Sequence, residues 1–419
     1  MIPPPRGPRD VNMILPLETR RTIESLSGYA EQDDVMIHYT VTGGCPFRCR
    51  GCINALTAGA PKAAEAEEAT RNLERDGRGI ARLIRESGKK RAVIVFYGGE
   101  PMIRPERMQA ICEAVGSFAD GTQVKFMVIT SGHYLSRTAD RYPDLMKRMW
   151  LTAVSVDGGV EQHNAMREGT DLVRIRKELA AFNRIRNGGV LIWSTLRPGM
   201  SLSDCFSSYL YLLDRREADH FFWHWDEAEG TIENLDAYRA AYRGDLETIL
   251  EEFLRRLEQG ELISIVHVNE LLLYLFTGRR RGTTACAVEQ MANFDIVGDG
   301  KIHACADLPG TMDIGEFDDA GRVRFHPDAD GRLKRIVDYK SRLGCSRCGV
   351  EPYCGGRCPV QIHLGGIERA RQYCFLMRDH VQAVKDAAPA VADRMAQRGL
   401  SLASLYQSAR MTKYTDVTP

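Results

Sequence analysis

The chain has 419 residues, which is long for one domain, and its apolar content of 44% suffices for a buried core. Lys plus Arg and Asp plus Glu each number 56, so no global charge favours nucleic acid or an anionic membrane as a partner. The Pro-rich N-terminus lacks the apolar core of a secretory signal, and no stretch approaches the roughly 18 apolar residues of a membrane-spanning helix. We therefore expect a cytoplasmic protein.

The first half of the chain alternates strand-like and helix-like segments. Short apolar runs rich in β-branched and aromatic residues predict six strands: 35–42, 92–97, 124–129, 151–156, 189–195 and 220–225. Apolar residues at helical spacing predict helices between them, as at 108–115 and 172–182. Six strand–helix units predict an α/β fold with a parallel sheet, open or curled into a partial barrel. Chemistry is expected at the carboxyl ends of its strands.

The second half begins with helical patterns over about 232–258 and 262–276. From 286 onward the sequence breaks into short pieces rich in Gly, Cys and Pro, with too little apolar periodicity to build a core. We expect metal to organise this stretch. After 375 the pattern returns to helix.

The twelve cysteines are clustered, with three within 45–52 and seven within 286–374. Disulfide frameworks are typical of small secreted domains, so clustered cysteines in a long cytoplasmic chain favour metal binding. Cys112 and Cys205 stand alone, and the apolar helical stripe around Cys112 indicates a buried, unreactive thiol.

The first cluster, Cys45, Cys49 and Cys52, forms a C-x3-C-x2-C loop after the first predicted strand. Three thiolates can hold three irons of a cubane and leave the fourth iron open for another ligand. The alternative is a structural zinc site, but such sites are closed by four ligands and the loop offers no fourth Cys or His.

Polar residues follow three more predicted strands. The second strand ends in Gly98-Gly99-Glu100, where glycines permit a close approach of a ligand and the carboxylate can accept from a cationic amine. Thr130 and Ser131 follow the third strand with hydroxyls suited to a ribose or a carboxylate. After the fourth strand come these residues: Ser155, Asp157, Gly158, His163 and Arg167. Alone, each motif is typical of an ordinary turn or helix cap.

In this order, the three-cysteine loop, GGEP and S-x-DG…H-x3-R resemble the radical S-adenosylmethionine (SAM) superfamily, and within it the peptide- and protein-modifying branch. The resemblance implies a partial (β/α)6 barrel. It implies that the three cysteines bind a 4Fe–4S cluster whose open iron chelates the methionyl group of SAM. Gly98, Gly99 and Glu100 would hold the SAM amine, and Ser155 and Arg167 its carboxylate and ribose end. Thr130 and Ser131 complete the expected cofactor site.

The C-terminal cysteines resemble the SPASM domain, a small Cys-rich extension that carries two auxiliary iron–sulfur clusters. The resemblance assigns four of them to a distal cluster: Cys345, Cys348, Cys354 and Cys374. It assigns Cys286, Cys305 and Cys358 to a proximal cluster, one thiolate short of four. That cluster is expected to have an open iron, a ligand such as Asp299 or His303, or a 2Fe–2S core. An open iron suits the binding of a substrate thiolate and thioether formation.

Two departures from the family pattern are visible. Gly51 replaces an aromatic residue that contacts the adenine, so we expect Phe47 or Tyr97 to pack the base. Sulfatase-maturing relatives place an Asp base directly after the second auxiliary cysteine, where this chain has Ala306 and then Asp307. In an extended segment, a one-residue shift turns the side chain to the other face. Asp307 and Asp226, which follows the sixth strand, are weak catalytic candidates.

The resemblance implies an oxidoreductase that matures a ribosomally made peptide by C–C or thioether cross-linking or by oxidation. Alternatives are a sulfatase-maturation-like enzyme, a small-molecule dehydrogenase and a scaffold without turnover. Expected partners are a precursor peptide, a flavodoxin or ferredoxin as reductant and a separate peptide-recognition protein, since 34 residues are too few for a fused recognition module. The predicted organisation is an extension (1–34), the barrel (35–230), a helical linker (231–285), the SPASM domain (286–375) and a C-terminal helix and tail (376–419).

Overall fold

The computed structural model describes residues 15–26, 34–54, 71–227, 230–308 and 312–409. Most of the expected N-terminal extension and the tail after 409 lie outside these ranges. The strands are β1 (Val35–Thr42), β2 (Arg48–Cys49), β3 (Arg91–Gly98), β4 (Gln123–Thr130), β5 (Met149–Ser155), β6 (Arg167–Glu168), β7 (Gly189–Leu196), β8 (His220–Trp225), β9 (Ser264–Ile265), β10 (Asn293–Ile296), β11 (Lys301–His303), β12 (Asp313–Phe317) and β13 (Val323–Phe325).

Fifteen α-helices lie within the described ranges. They are α1 (Leu17–Glu24), α2 (Leu73–Glu86), α3 (Pro105–Val115), α4 (Leu135–Arg141), α5 (Pro143–Arg148), α6 (Val160–Met166), α7 (Leu172–Phe182), α8 (Leu202–Asp214), α9 (Leu235–Glu258), α10 (Val266–Thr277), α11 (Ala329–Ile336), α12 (Tyr339–Leu343), α13 (Glu351–Cys354), α14 (Pro359–Gln397) and α15 (Leu402–Ala409). Two short 3₁₀ turns span Pro101–Ile103 and Cys345–Arg347. None of the described helices is long and apolar enough to cross a membrane.

The main sheet has eleven strands in the order β13-β12-β11-β10-β1-β3-β4-β5-β7-β8-β9. Its centre consists of the six predicted strands, now β1, β3, β4, β5, β7 and β8, and all their pairings are parallel. The predicted α/β fold with a parallel sheet is therefore confirmed. Strands β2 and β6 form a separate antiparallel pair between the cysteine loop and the segment after α6.

Alternate residues of the central strands belong to two apolar clusters. Met36, Met127 and Phe222 lie in a small cluster that draws on every central strand, while their neighbours belong to the large cluster shared with the helices. This alternation is the two-residue period of a strand buried on both faces. On α3, the predicted helical stripe from Met108 to Val115 is buried against the sheet.

The C-terminal part continues the barrel sheet. Strand β10 pairs in parallel with β1, and β11 to β13 add antiparallel strands beyond it. Phe294 and Ile302 belong to the same apolar cluster as the barrel helices, so this stretch shares the main core although its apolar periodicity is too weak to predict one. Its organisation by metal stays a prediction. Helix α14 begins at Pro359, bends at Gly366, where φ is +81°, and runs through the domain limit predicted at 375. The domain limits stay predictions.

Candidate active site

A single cleft lies at the carboxyl ends of the six central strands. Its empty volume is about 1360 Å³, counted to its open mouth. Each central strand contributes a lining residue: His38, Tyr97, Ile129, Ser155, Trp193 and His224. The sheet therefore curls around the cleft without closing, as in a partial barrel. This is the edge at which the sequence predicts the chemistry.

The loop after β1 brings Cys45, Cys49 and Cys52 into the wall of the cleft. Burial raises the pKa of Cys45 to about 12, and the nearby Cys49 and Cys52 thiolates add to the rise. Neighbouring thiolates repel one another unless positive charge lies between them, and binding of metal releases their protons. This donor set fits an iron–sulfur cluster held by three thiolates.

A second set of three cysteines lines the same cleft: Cys286, Cys305 and Cys358. Burial raises the pKa of Cys305 well above its usual value, with further contributions from Asp307 and from the other two thiolates. The two sets line one cleft. Their division into a SAM-binding cluster and a proximal auxiliary cluster stays a prediction.

The remaining four clustered cysteines line a separate cavity of about 270 Å³: Cys345, Cys348, Cys354 and Cys374. Burial raises the pKa of Cys345 and Cys374 to about 12, and in both cases neighbouring thiolates of the set add to the rise. The guanidiniums of Arg357 and Arg378 lie 4.0 Å from the sulfur of Cys354 and 3.7 Å from that of Cys348. Positive charge next to four thiolates suits an anionic cluster.

No group of three or more His, Cys, Asp or Glu side chains in the described part of the chain converges closely enough to hold a single metal ion. A tetrahedral zinc site requires such convergence, whereas a four-iron cluster spreads its cysteine ligands over separate irons.

Gly98 and Gly99 pack against the loop that leads into the first cysteine. Gly98 has φ +116°, and a Cβ on Gly99 would lie 2.2 Å from the carbonyl oxygen of Gly44. The amide of Gly99 donates to the carbonyl of Thr42 at 2.8 Å, and that of Glu100 donates to the carbonyl of Gly44 at 3.0 Å. The glycine pair therefore joins two strand-end loops, which the sequence did not suggest, and it also lines the cleft.

The carboxylate of Glu100 is buried and orients the next strand end. Its Oε1 accepts from the Thr130 hydroxyl at 2.7 Å and from the Met102 amide at 3.1 Å, and its Oε2 accepts from the Ser131 amide at 2.8 Å. Burial raises the pKa of Glu100, and these hydrogen bonds oppose the rise. The Ser131 side chain also donates to this carboxylate, and Glu100 lines the cleft where the amine of SAM is expected.

Asp157 holds two arginines in the wall of the cleft. Arg167 donates from Nε to Oδ2 at 2.7 Å and from Nη2 to Oδ1 at 3.1 Å, while Arg197 donates from Nη1 to Oδ2 at 2.8 Å. Burial alone would raise the pKa of Asp157, but the two guanidiniums outweigh it and hold that pKa well below its usual range. The carboxylate is therefore ionised at neutral pH.

Arg197 is a site residue that the sequence reasoning missed. Its Nε donates to the carbonyl of Arg50 in the cysteine loop at 2.8 Å, and the side chain lines the cleft. It follows β7 directly, so the rule that directs attention to strand ends could have found it.

His163 supports the turn after β5, and the residues that line the cleft do not include it. The Asp157 amide donates to its Nδ1 at 3.1 Å, so Nε2 carries the proton and donates to the Thr170 hydroxyl at 3.0 Å. Burial and then Arg167 lower the pKa of His163 to about 4, so the ring is neutral at pH 7. Ser155, in contrast, lines the cleft, as predicted for a SAM contact.

The two catalytic candidates lie in different surroundings. Asp307 lines the cleft, where the Tyr97 hydroxyl donates to its Oδ1 at 2.8 Å. Asp226 is buried against α14 and accepts from Arg369 at 2.8 Å, and it is absent from the cleft lining. The expectation that a one-residue shift turns Asp307 away is wrong, because residues 306–307 form a turn and both line the cleft.

Two expectations concern the residues next to the cysteines. Asp299, on the β10–β11 turn, is exposed and pairs with Lys301 at 3.5 Å, and neither it nor His303 lines the cleft. Gly51 has φ +58°, a left-handed conformation that an aromatic residue adopts only with strain. Phe47 and Tyr97, predicted to pack the adenine, both line the cleft.

Residues 39–196 match the family model of the radical SAM superfamily. No curated protein matches the sequence significantly. The matched segment begins in β1, ends with β7 and includes the first three cysteines and the strand-end motifs from Gly98 to Arg167.

Several solved structures share the fold at low sequence identity. Native anSMEcpe with bound AdoMet is 15% identical with a TM-score of 0.62, over 86% of this chain and 99% of that chain. The same protein with AdoMet and the Cp18Cys peptide is 16% identical with a TM-score of 0.63 over the same shares. Streptococcus suis SuiB bound to precursor peptide SuiA is 14% identical with a TM-score of 0.52, over 81% of this chain and 74% of that chain. The likeness thus extends beyond the matched domain into the Cys-rich part.

Proposed function

Because residues 39–196 of this chain form a radical SAM domain, we propose that the protein matures a ribosomally made peptide by cross-linking or oxidation. One observation carries the proposal. A single cleft brings together the three-cysteine loop, the expected SAM contacts and a second set of three cysteines. When bound, a 4Fe–4S cluster and SAM supply a one-electron cleavage that yields methionine and a 5′-deoxyadenosyl radical.

The chain's own residues orient the cofactor and its surroundings. Glu100 is fixed by Thr130 and would hold the amine of SAM, while Asp157 fixes Arg167, which would hold the SAM carboxylate and ribose end. Arg197 ties the same network to the cysteine loop. These groups are held before ligand binding, so little reorganisation opposes cofactor capture.

A peptide substrate is supported by the fold and by the open mouth of the cleft. The cleft is open to solvent on one side, so an extended chain can enter it. Structures with this fold were solved with peptides, Cp18Cys on anSMEcpe and SuiA on SuiB. We further propose that a flavodoxin or ferredoxin reduces the enzyme and that a separate protein helps to present the peptide.

We assign Asp307 as the group that accepts a proton from the substrate. It lies in the cleft beside the second set of cysteines, and its hydrogen bond from Tyr97 fixes the carboxylate. Loss of two hydrogens from a side chain gives one hydrogen atom to the deoxyadenosyl radical, one proton to a base and one electron to an acceptor, which would be an auxiliary cluster, so a base next to the substrate is required. Asp307 is one residue away from the place of the Asp base in sulfatase-maturing relatives. A sulfatase-maturation-like oxidation is therefore the second candidate function.

The test uses the anaerobically reconstituted protein with SAM, dithionite and the short peptide encoded beside its gene. Maturation predicts 5′-deoxyadenosine together with a peptide that has lost two hydrogens by mass spectrometry. Asp307→Asn should retain deoxyadenosine formation but form product at least about 100-fold more slowly, as for loss of a general base. Deoxyadenosine formation without any change in the peptide would refute the peptide-maturase assignment.

A further inference from the structure

The second set of cysteines in the cleft, Cys286, Cys305 and Cys358, lacks a fourth thiol. Cys112 and Cys205, the only cysteines outside the clusters, are buried on α3 and α8. The question of what completes this set rests on the proposed proximal cluster. A four-iron cluster takes four protein ligands unless one iron stays open.

Two carboxylates close to these cysteines line the cleft. Asp307 follows Cys305 by two residues, and its Oδ1 accepts from Tyr97. Glu227 follows β8 and is only 4% exposed. Gln361, three residues after Cys358, donates from Nε2 to the carbonyl of Trp225 at 3.2 Å, two residues before Glu227, so the segments that carry Cys358 and Glu227 are packed together.

Glu227 lines the cleft, and one oxygen of its carboxylate has a partner there. Its Oε1 lies 3.2 Å from Nδ1 of His224, and Oε2 accepts no hydrogen bond from the described residues. A buried carboxylate with few hydrogen-bond partners carries a large desolvation cost unless a cation completes its surroundings. Among the described residues no Lys or Arg pairs with Glu227, so a metal ion fits this position.

His224 positions this carboxylate. If Nδ1 donates to Glu227, Nε2 must accept, and the Thr195 hydroxyl lies 3.0 Å from it. The hydroxyl of Thr195 in turn lies 3.5 Å from Nη2 of Arg167. A ligating carboxylate is ordinarily oriented by such a neighbour, and here the chain of contacts continues to the SAM side of the cleft.

We propose that Glu227 is the fourth protein ligand of the proximal cluster, giving one iron an oxygen ligand in place of the missing thiolate. Carboxylate is a harder ligand than thiolate and binds cluster iron less tightly. A substrate thiolate that enters the cleft therefore displaces Glu227 from that iron. Without substrate, the iron is therefore bound by Glu227, and with substrate this ligand is exchanged for the substrate thiolate.

The test isolates the auxiliary clusters in a parent variant, Cys45→Ala/Cys49→Ala/Cys52→Ala. The parent should bind about eight irons. A second variant carries Glu227→Gln in addition to the parent substitutions. After mild oxidation with ferricyanide, this variant should release about one iron and produce the EPR signal of a three-iron cluster. The matched control, Asp307→Asn, removes the same charge beside the same cysteines and should leave the EPR spectrum of the parent unchanged.

A parent with eight irons and the same EPR spectrum after Glu227→Gln would overturn the ligand assignment and leave the proposed function standing. A parent with only about four irons would overturn both the proximal cluster and its ligand. Should Glu227→Gln not fold, Glu227→Asp keeps a carboxylate at a shorter reach and should give a three-iron signal smaller than that of the Cys358→Ala variant. A Glu227→Asp spectrum identical to that of the parent would overturn the assignment.

Discussion

Asp157 shows how one side chain organises several others at the cleft. Its carboxylate is fully buried, and both guanidiniums that neutralise it are nearly so. The motif residue therefore acts through Arg167 and Arg197 rather than through a ligand. Removing one partner of a buried ion pair leaves the other charges uncompensated.

We predict that Asp157→Asn lowers the free energy of unfolding of the protein by about 3–5 kcal/mol, because two buried arginines lose their counter-charge. Urea unfolding at pH 7 measures the change. Asp318→Asn is the matched control, since Asp318 also accepts from two arginines, Arg322 and Arg324, but does so at the surface. Surface pairs contribute little, so the control should unfold at nearly the urea concentration of the wild type, and an equal loss in both variants would contradict the prediction.

The ion pairs of Asp157 with Arg167 and Arg197 also predict how the stability of the protein depends on pH. The folded-state pKa of Asp157 lies below the unfolded value of about 3.9. Its contribution to stability is therefore fully present above pH 4 and is lost as the pH falls through the folded-state value. The difference in the free energy of unfolding between wild type and Asp157→Asn should stay constant from pH 5 to 8 and shrink only below about pH 4. A difference that already shrinks near pH 6 would show that another group is responsible.

At the scale of elements, the loops after β1 and β3 act as one unit. Gly99 lies so close to the backbone of Gly44 that no side chain fits. The loop that carries the first three cysteines is consequently placed by the loop that carries the SAM contacts.

We predict that Gly99→Ala displaces the cysteine loop, so that the purified, reconstituted protein contains about four fewer irons per chain. Gly244→Ala is the matched control, because Gly244 lies within α9 and a Cβ there meets nothing within 4 Å. The control should keep its iron and gain about 0.5–1 kcal/mol of helix stability. Iron content and thermal unfolding measure both effects, and full iron in Gly99→Ala would refute the coupling of the loops.

Helix α14 couples the distal cysteines to the barrel. It carries Cys374 to the four-cysteine cavity and Arg369 to Asp226 at the end of β8. Loss of the distal cluster is therefore expected to loosen this helix as well as to remove iron.

We predict that Cys374→Ala removes about four irons per chain and lowers the thermal unfolding temperature. Cys112→Ala provides the control, since Cys112 is a buried thiol on α3 and belongs to no cluster. Iron analysis of the control should match the wild type. An equal iron loss in both variants would mean that Cys374 acts only through packing.

Local patterns predicted much of the fold. The six central strands were predictable because β-branched and aromatic runs mark buried strands, and the stripe on α3 because helical spacing is regular. The pairing of β10 with β1 joins residues 257 positions apart, and no local signal encodes it. Glu227 and Arg197 were missed because a lone polar residue after a strand carries no motif, although the strand-end rule points to both.

At the scale of the whole molecule, the curled sheet and the C-terminal extension form one site. The extension continues the barrel sheet through β10 and supplies Cys286, Cys305 and Cys358 to a cleft whose other wall holds the expected SAM contacts. The two halves are therefore not independent modules, and both sets of cysteines line the same cleft.

The most direct test of the three-cluster radical SAM assignment is anaerobic reconstitution, with iron and sulfide counted and 5′-deoxyadenosine measured after SAM and dithionite are added. The assignment predicts about twelve irons per chain and formation of deoxyadenosine. The Cys45→Ala/Cys49→Ala/Cys52→Ala variant should contain about eight irons and form no deoxyadenosine. Bound zinc, or about four irons without cleavage of SAM, would contradict it.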